Sequence, residues 1–565
     1  MIYLKCNEQN RFFILKEREM NKDRIYSDLK RIVKVPSVSA TYDEAKGADV
    51  LYEILSEIPY FAGHPKYLLK LPVKHDPLKR SNVAAFLPAE EPTADTVILM
   101  GHYDVMNAYV YDNLKDIAFD IEEITSRINE LPLDEDSQKD FNSGEWIFGR
   151  GVADMKFGLA MSIEILRHYA ENPGLLKGNL IFLGLCGEEA NSEGMLAAVS
   201  FLNRIAKSQG LKYKALLAAE SYSHDDEDPE GVHFVHIGAT GKFIPMFFCV
   251  GAPSRGVNPF HGIDANLLSS EIYSRMHLNT DLCQSANGVT TPPPICLKAV
   301  DLKLTYSSTS SFFAASYYNL LTVDTDALEV MDLLRSIAVE SFDAARDRIR
   351  RQANAFENKF GIRNRLSLPE TCVMTFSELM AGARANFSGD FDAFLGNLTK
   401  SWLNKEKLKL QDIAIRIVKT VYEHYPDKRP MIIISFIPPF YPDVYPDMAD
   451  ERVPALIGAV NEVMHHAKNN YGEDIRWKDY YMEISDLSFT HLDPEKNFDS
   501  LFENIVGANM TYSFPMEDLK KFDVPGIIFG VNGKDSHKNT ERIERHYNFD
   551  VLPWLYLRLI ENILG

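Results

Sequence analysis

Short, nearly continuous apolar runs are the feature of this sequence that most restricts its fold. They occur at residues 96–100 (TVILM), 180–185 (LIFLGL), 215–219 (ALLAA), 431–437 (MIIISFI) and 526–529 (GIIF). Runs without polar alternation suit strands that are covered on both faces. Helical patterns separate several of these runs, as they do when helices link parallel strands. The sequence therefore predicts an α/β fold with a central, mostly parallel sheet flanked by helices.

The pattern changes between about residues 239 and 380, where the order becomes strand, helix, strand, strand, helix, strand. A βαββαβ unit can form its own open sheet with two helices on one face. Because buried-strand patterns return after residue 430, we predict that 239–380 form a domain inserted into a first domain of 1–238 and 381–565. The helical pattern of residues 381–428 has no role that the sequence assigns.

The charge balance argues against polyanionic partners. The chain has 565 residues with 60 Lys and Arg against 80 Asp and Glu, which gives a formal net charge of −20. A field of this sign repels nucleic acid and anionic membranes, so we expect neither as a partner. Composition alone does not separate an enzyme from an interaction protein, and the motifs must decide.

Cysteine spacing and the N-terminus favour a cytoplasmic protein. No CxxC pair is present, which argues against a disulfide framework and a Cys-rich zinc knuckle. Lys5, Glu8 and Arg11 interrupt any signal-peptide core, and no later window offers about 18 uncharged apolar residues. The six cysteines lie at positions 6, 186, 249, 283, 296 and 372.

Ionisable side chains directly follow three of the predicted strands. His102 and Asp104 stand in GHYD, Glu188 and Glu189 in GEE, and Glu220 after ALLAA. The carboxyl ends of parallel strands are where α/β folds build their sites. His102 and Asp104 share one face of an extended chain, so the aspartate can orient a metal-binding imidazole. Alternatively, His102 is a buried histidine with a satisfied hydrogen bond.

The remaining motifs also allow two interpretations each. Adjacent buried carboxylates such as Glu188 and Glu189 are unfavourable unless a cation lies beside them, although a solvated pair opening a helix is the alternative. Asp154 precedes an apolar helix in GRGVADMKFG and is either a helix cap or a bridge between metals. His537, in a loop after the last predicted strand, is either a ligand or structural.

Read together, the motifs favour a metal site. Histidine and carboxylate ligands without thiolates suit zinc, cobalt or manganese. A carboxylate shared by two such ions makes a co-catalytic centre, in which one glutamate binds metal and its neighbour accepts a proton from water.

The motifs resemble those of the di-zinc metallopeptidases that include glutamate carboxypeptidase, aminoacylase and succinyl-diaminopimelate desuccinylase. The matching segments, in the family's order, are MGHYDV, GRGVADMKFG, CGEEANSEG and GKDSHKNTE, and the resemblance covers almost the whole chain. The length, KDSHKNTER and PPFYPDVYPD are most similar to the arginine-utilisation (Roc B-type) branch.

The resemblance implies two divalent metal ions, with zinc expected and cobalt or manganese as alternatives. It makes His102 and Glu189 ligands of one ion and Glu220 and His537 ligands of the other. Asp154 would bridge the two ions.

The resemblance also implies that Glu188 is the general base and that Asp104 orients His102. The inserted domain would be a lid through which the chain forms a homodimer. Where the family's lid often carries a catalytic histidine, this chain has Arg255 in SRGVNPFHGIDA. Arg255 could contact an oxyanion or a substrate carboxylate, and His261 is the alternative replacement.

The expected function is a metal-dependent hydrolase that cleaves an amide or peptide bond in a small N-acyl amino acid or short peptide. Two alternatives remain open at the level of sequence. One is a non-catalytic, metal-containing binding or regulatory protein on the same fold, which the absent lid histidine motivates. The other is an aminopeptidase that prefers a free N-terminal amine.

Overall fold

The structure is a computed structural model that describes residues 20–222, 228–229, 231–363, 366–405 and 409–565. The N-terminal residues on which the signal-peptide interpretation rests, and Cys6, lie outside the described residues. The chain divides into two compact units, each described below by itself: Met1–Ala239 with Tyr445–His491 and Pro515–Gly565, and Thr240–Val444 with Leu492–Phe514. Within the described ranges, every helix lacks the length or the apolar character needed to cross a membrane.

Strands occur in both units. In chain order they are β1 (Leu68–Pro72), β2 (Ser81–Leu87), β3 (Asp95–His102), β4 (Trp146–Phe148), β5 (Asn179–Leu185), β6 (Lys212–Ala218), β7 (Val232–Ala239), β8 (Gly241–Phe243), β9 (Pro245–Val250), β10 (Ser285–Ala286), β11 (Val289–Thr290), β12 (Ile295–Asp301), β13 (Phe313–Thr322), β14 (Val373–Thr375), β15 (Met431–Phe436), β16 (Asp474–Tyr481), β17 (Gly526–Phe529), β18 (Gly533–Lys534) and β19 (Arg542–Glu544).

The first unit contains an eight-stranded sheet in the order β1-β2-β5-β3-β6-β17-β7-β16. Its central strands β5, β3, β6 and β17 are parallel to one another, whereas the pairs β1–β2, β2–β5 and β17–β7 are antiparallel. β3 and β5 are buried almost throughout, as their unbroken apolar sequences require. The predicted α/β fold with a mostly parallel central sheet is confirmed.

Helices of the first unit cover this sheet. The helix Phe157–Glu171 is the most buried because its sequence is apolar on nearly every face. A Cβ atom added to Gly158 would lie 2.4 Å from the carbonyl oxygen of Ala219, so glycine permits close packing of helix and strand end. The helices of this unit are Lys22–Val33, Ala45–Ser56, Pro59–Gly63, Ile121–Arg127, Glu135–Ser143, Phe157–Glu171, Glu193–Gln209, Arg452–Tyr471, Met516–Leu519 and Leu552–Leu564.

A small three-stranded sheet in the first unit has the order β18-β19-β4. β19 pairs antiparallel with both neighbours. Gly149, just after β4, donates its backbone N–H to the carbonyl oxygen of Glu541 at 3.1 Å. This sheet therefore joins two segments that lie far apart in the sequence.

The second unit contains a six-stranded sheet with the path β12-β13-β9-β15-β14, and β8 pairs with β13. Between β9 and β14 the chain follows the order βαββαβ, with the separate two-stranded hairpin β10–β11 added before β12. The helices of this unit are Ala265–Met276, Ala327–Phe360, Phe376–Asn386, Phe391–Lys405, Leu410–His424 and Phe498–Asn504.

The boundaries of the second unit differ from the prediction. The predicted boundaries place the run at 431–437 in the first domain, but it contains β15, which pairs with β9 and β14 of the second unit. The helices Phe376–Asn386, Phe391–Lys405 and Leu410–His424 account for most of the described part of 381–428, and their apolar side chains, including Leu395 and Val418, pack in one cluster with Met431 and Ile433. The run predicts a strand covered on both faces, but it does not say which sheet the strand joins. The second unit therefore continues to Val444 instead of ending at 380.

Candidate metal centre

The ends of three adjacent strands bring predicted site residues to one edge of the first sheet. His102 ends β3 and lies opposite Leu185 of β5 in the parallel register. Glu188 and Glu189 follow in the turn after β5, where Gly187 adopts the left-handed φ of 73° that favours glycine. Glu220 comes two residues after the end of β6, the strand on the other side of β3.

Two loops add the remaining candidates. Asp154 lies in the turn Val152–Lys156 between β4 and the buried helix Phe157–Glu171. His537 lies in the loop between β18 and β19 and has a positive φ of 68°, which is uncommon for residues other than glycine.

The carboxylate of Asp154 lies between the two histidines. Its Oδ1 is 2.9 Å from Nε2 of His102, and its Oδ2 is 3.1 Å from Nε2 of His537. One carboxylate thus presents a different oxygen to each imidazole. This is the arrangement expected of a carboxylate that bridges two cations.

The possible metal ligands form two groups, in each of which the ligand atoms lie within 4.8 Å of one another. The first group contains His102, Glu188 and Glu220, and the second contains Asp154, Glu189 and His537. Nε2 of His102 is 3.8 Å from Glu220 Oε1, and Nε2 of His537 is 3.0 Å from Glu189 Oε2.

These distances favour a different pairing from the expected one, in which His102 shares an ion with Glu189 and Glu220 shares one with His537. The order of motifs along the chain does not reveal which strand ends are neighbours. β6 lies beside β3, and this adjacency places Glu220 near His102.

The buried carboxylates destabilise one another's charged forms. Burial raises the pKa of Glu188 well above its usual range, and the negative charges of Glu220, Asp486 and Glu189 add to the rise, against the influence of His102. Burial likewise raises the pKa of Glu220 to about 8 and of Glu189 to about 7. Cations beside these groups would restore their ionised forms.

The histidines are held in a strongly acidic environment. Burial opposes a charged imidazole at His102, but hydrogen bonds with Asp104 and Asp154 outweigh it and raise the pKa well above its usual value. Burial also opposes charge on His537, yet Asp154 and Glu189 raise its pKa to about 11. The two imidazoles keep the pKa of Asp154 low in spite of its burial. Two histidines and several carboxylates without thiolate are a donor set that fits zinc, cobalt or manganese.

Asp104 contacts more of the site than the sequence indicated. Its Oδ1 lies 3.6 Å from Nδ1 of His102, while its backbone carbonyl accepts from the same nitrogen at 3.0 Å. Its Oδ1 also accepts from the backbone N–H of Glu188 at 3.1 Å, and its Oδ2 from that of Glu189 at 3.2 Å. Asp104 therefore holds the turn that carries both glutamates.

We expect Asp104→Asn to lower metal affinity or kcat by about 10- to 100-fold, because an amide group would turn a donor towards a backbone N–H. Metal titration and steady-state kinetics measure these effects. Asp28→Asn is the matched control, since Asp28 is also buried but accepts from Arg167 instead. Equal behaviour of the two variants would contradict the role of Asp104.

Two residues near the site were missed in the sequence. The hydroxyl of Ser485 donates to Glu220 Oε2 at 2.6 Å. Its neighbour Asp486 is buried, and burial raises its pKa to about 7. They begin a 3-10 turn, and no apolar run ending in charged residues marks their position.

The candidate lid residues lie in the second unit. Arg255 and His261 are both exposed. Arg255 forms a backbone bridge with Thr309. Asp264 caps the helix Ala265–Met276 by accepting from the backbone N–H of Asn266. The catalytic role of Arg255 stays a prediction.

The fold is that of known peptidases. The structure matches that of the di-peptidase Dug1p from Saccharomyces cerevisiae with a TM-score of 0.53 at 12% sequence identity. The alignment covers 97% of each chain. At this identity the similarity concerns the fold alone.

Sequence comparison identifies the family. The sequence profile described as Peptidase family M20/M25/M40 matches residues 128–562, and the chain belongs to this family. It is 30% identical over 551 residues to protein RocB of Bacillus subtilis (strain 168), covering 96% of this chain and 95% of the relative. It is also 31% identical over 547 residues to the uncharacterised protein YqjN of that strain, covering 96% and 97%. The predicted family and branch are confirmed.

Proposed function

We propose that the protein is a two-metal hydrolase that cleaves an amide or peptide bond in a small N-acyl amino acid or short peptide. The observation that carries the proposal is the Asp154 carboxylate, which turns one oxygen to His102 and the other to His537. His102 and Glu220 would hold one divalent ion and Glu189 and His537 the other, with Asp154 shared between them.

Glu188 is the proposed general base. Divalent ions in this centre would supply polarisation of the scissile carbonyl and acidification of a water molecule. The Glu188 carboxylate takes a proton from the attacking water as its oxygen bonds to the carbonyl carbon. When the carbon–nitrogen bond breaks, Glu188 returns that proton to the departing amine.

The substrate class rests on the family and on the motifs. The chain belongs to a peptidase family, and the structural relative Dug1p is a di-peptidase. Similarity to the arginine-utilisation branch makes N-acyl arginine and arginine-containing dipeptides the first candidates. Arg255 is proposed to contact the substrate carboxylate or the developing oxyanion.

A substrate panel tests the proposal. Protein loaded with zinc, cobalt or manganese is incubated with N-acyl amino acids, free dipeptides and tripeptides, and products are quantified by mass spectrometry. We expect hydrolysis that stops after chelation and returns with metal. Turnover confined to substrates with a free N-terminal amine would instead indicate an aminopeptidase. Absence of hydrolysis for every substrate in the panel would favour a metal-containing binding protein.

We also expect metal binding to release protons. The raised pKa values of His102 and His537 keep both imidazoles protonated at neutral pH without metal, whereas ligation needs their neutral forms. The apparent affinity should therefore rise with pH. Calorimetric zinc titrations at pH 7 in buffers of different ionisation enthalpy measure this release. Identical heats in all buffers would contradict it.

A further inference from the structure

A buried ion pair between Arg150 and Glu541 lies within hydrogen-bonding distance of the backbone of the candidate metal centre. Nη1 of Arg150 donates to Glu541 Oε2 at 2.6 Å, and both side chains are 1% exposed. Such a pair is costly to desolvate and by itself is weak evidence for stability. Its remaining hydrogen bonds therefore indicate what it does.

Both partners bond to the backbone of metal-ligand candidates. Glu541 Oε1 accepts from the N–H groups of Ala153 at 3.2 Å and Asp154 at 3.4 Å. Nη2 of Arg150 donates to the carbonyl oxygen of His537 at 2.9 Å. The pair thus connects the backbone of the bridging aspartate to that of the histidine ligand.

The backbone of His537 needs such support. Its left-handed φ of 68° is unfavourable for a residue with a side chain. The bond from Arg150 holds its carbonyl group in place in that conformation. A shift in this loop would move Nε2 of His537 away from Asp154 and Glu189.

The loop has a second anchor that does not touch a ligand. Arg542 donates to Asp140 and to Asp535, and Thr540 also donates to Asp535. None of these bonds involves the Glu541 side chain, so we expect them and the β18–β19 pairing to remain when Glu541 is changed. Loss of the Arg150–Glu541 pair should therefore displace the ligands without unfolding the loop.

We propose that Arg150 and Glu541 are positioning residues that set the separation of Asp154 and His537 and hence the affinity for metal in the Asp154–Glu189–His537 group. This inference rests on the proposed function. Glu541→Gln would place an amide donor against the Arg150 guanidinium while keeping the size of the side chain. Changes to such supporting partners typically weaken metal binding about 10- to 100-fold.

Zinc titration of metal-free protein and the visible spectrum of the cobalt-loaded protein test the proposal. For Glu541→Gln we expect one ion to bind about 10- to 100-fold more weakly, with an altered cobalt spectrum. Glu164→Gln is the matched control, because Glu164 is a buried partner of Arg167. It should lose thermal stability but keep wild-type metal affinity and spectrum.

Wild-type affinity and spectrum in Glu541→Gln, with only the stability loss of the control, would overturn the positioning role. If Glu541→Gln does not fold, Arg150→Lys provides the same test. Lysine keeps the positive charge but lacks the two guanidinium nitrogens that bond separately to Glu541 and to the His537 carbonyl. A wild-type protein that binds no zinc or cobalt would overturn the proposed function as well. The two failures are therefore distinguishable.

Discussion

Glu188→Gln should lower kcat by about 10²- to 10⁴-fold while leaving metal content and folding intact. The amide keeps the shape of the side chain but accepts no proton from water at neutral pH. Glu188 adjoins the ligand candidate Glu189 and lies 3.8 Å from Nε2 of His102 through its Oε2. It is therefore close enough to act on a water held in the centre.

Steady-state kinetics on metal-replete protein, with elemental analysis of the same sample, measure this effect. Glu164→Gln is again the control, because it makes the same substitution at a buried glutamate outside the site. Its kcat should stay at the wild-type value. A fully active, metal-loaded Glu188→Gln protein would refute the general-base assignment, and loss of metal would make Glu188 a ligand instead.

Asp154→Ala should reduce bound metal from two ions per chain to one or none. The substitution removes the oxygens that face His102 and His537 and leaves two cations in mutual repulsion. Activity should fall with the metal content. Elemental analysis of protein purified without chelator, followed by zinc titration, measures the change.

Asp28→Ala is the comparison for this variant. Asp28 is buried and accepts from Arg167, so its loss destabilises the same unit without removing a proposed ligand. We expect full metal content in Asp28→Ala. Retention of both ions by Asp154→Ala would rule out the bridging role.

The sequence indicates candidate site residues where ionisable side chains directly follow buried strands. A carboxylate or histidine directly after a buried strand needs partners, and parallel strands deliver such groups to one edge. For this reason the sequence alone marks His102, Glu188 and Glu220 as residues of one site. The spacing of His102 and Asp104 likewise predicted their contact.

Other features depend on tertiary contacts that no local pattern encodes. The neighbours of His102 follow from the order of β5, β3 and β6 in the sheet, which is why the distances favour a ligand pairing other than the predicted one. The strand β15 has the same apolar character as β3, and its sheet could not be assigned from its composition. Ser485 and Asp486 carry no recognisable signal, because only folding brings their turn to Glu220.

The central claim is that these side chains hold two metal ions around Asp154. Anomalous diffraction from crystals of zinc-loaded protein, recorded on both sides of the zinc absorption edge, tests it most directly. We expect two peaks, one between Asp154 and the pair His102 and Glu220, and one between Asp154 and the pair Glu189 and His537. No peak at Asp154 in zinc-soaked crystals would contradict the account.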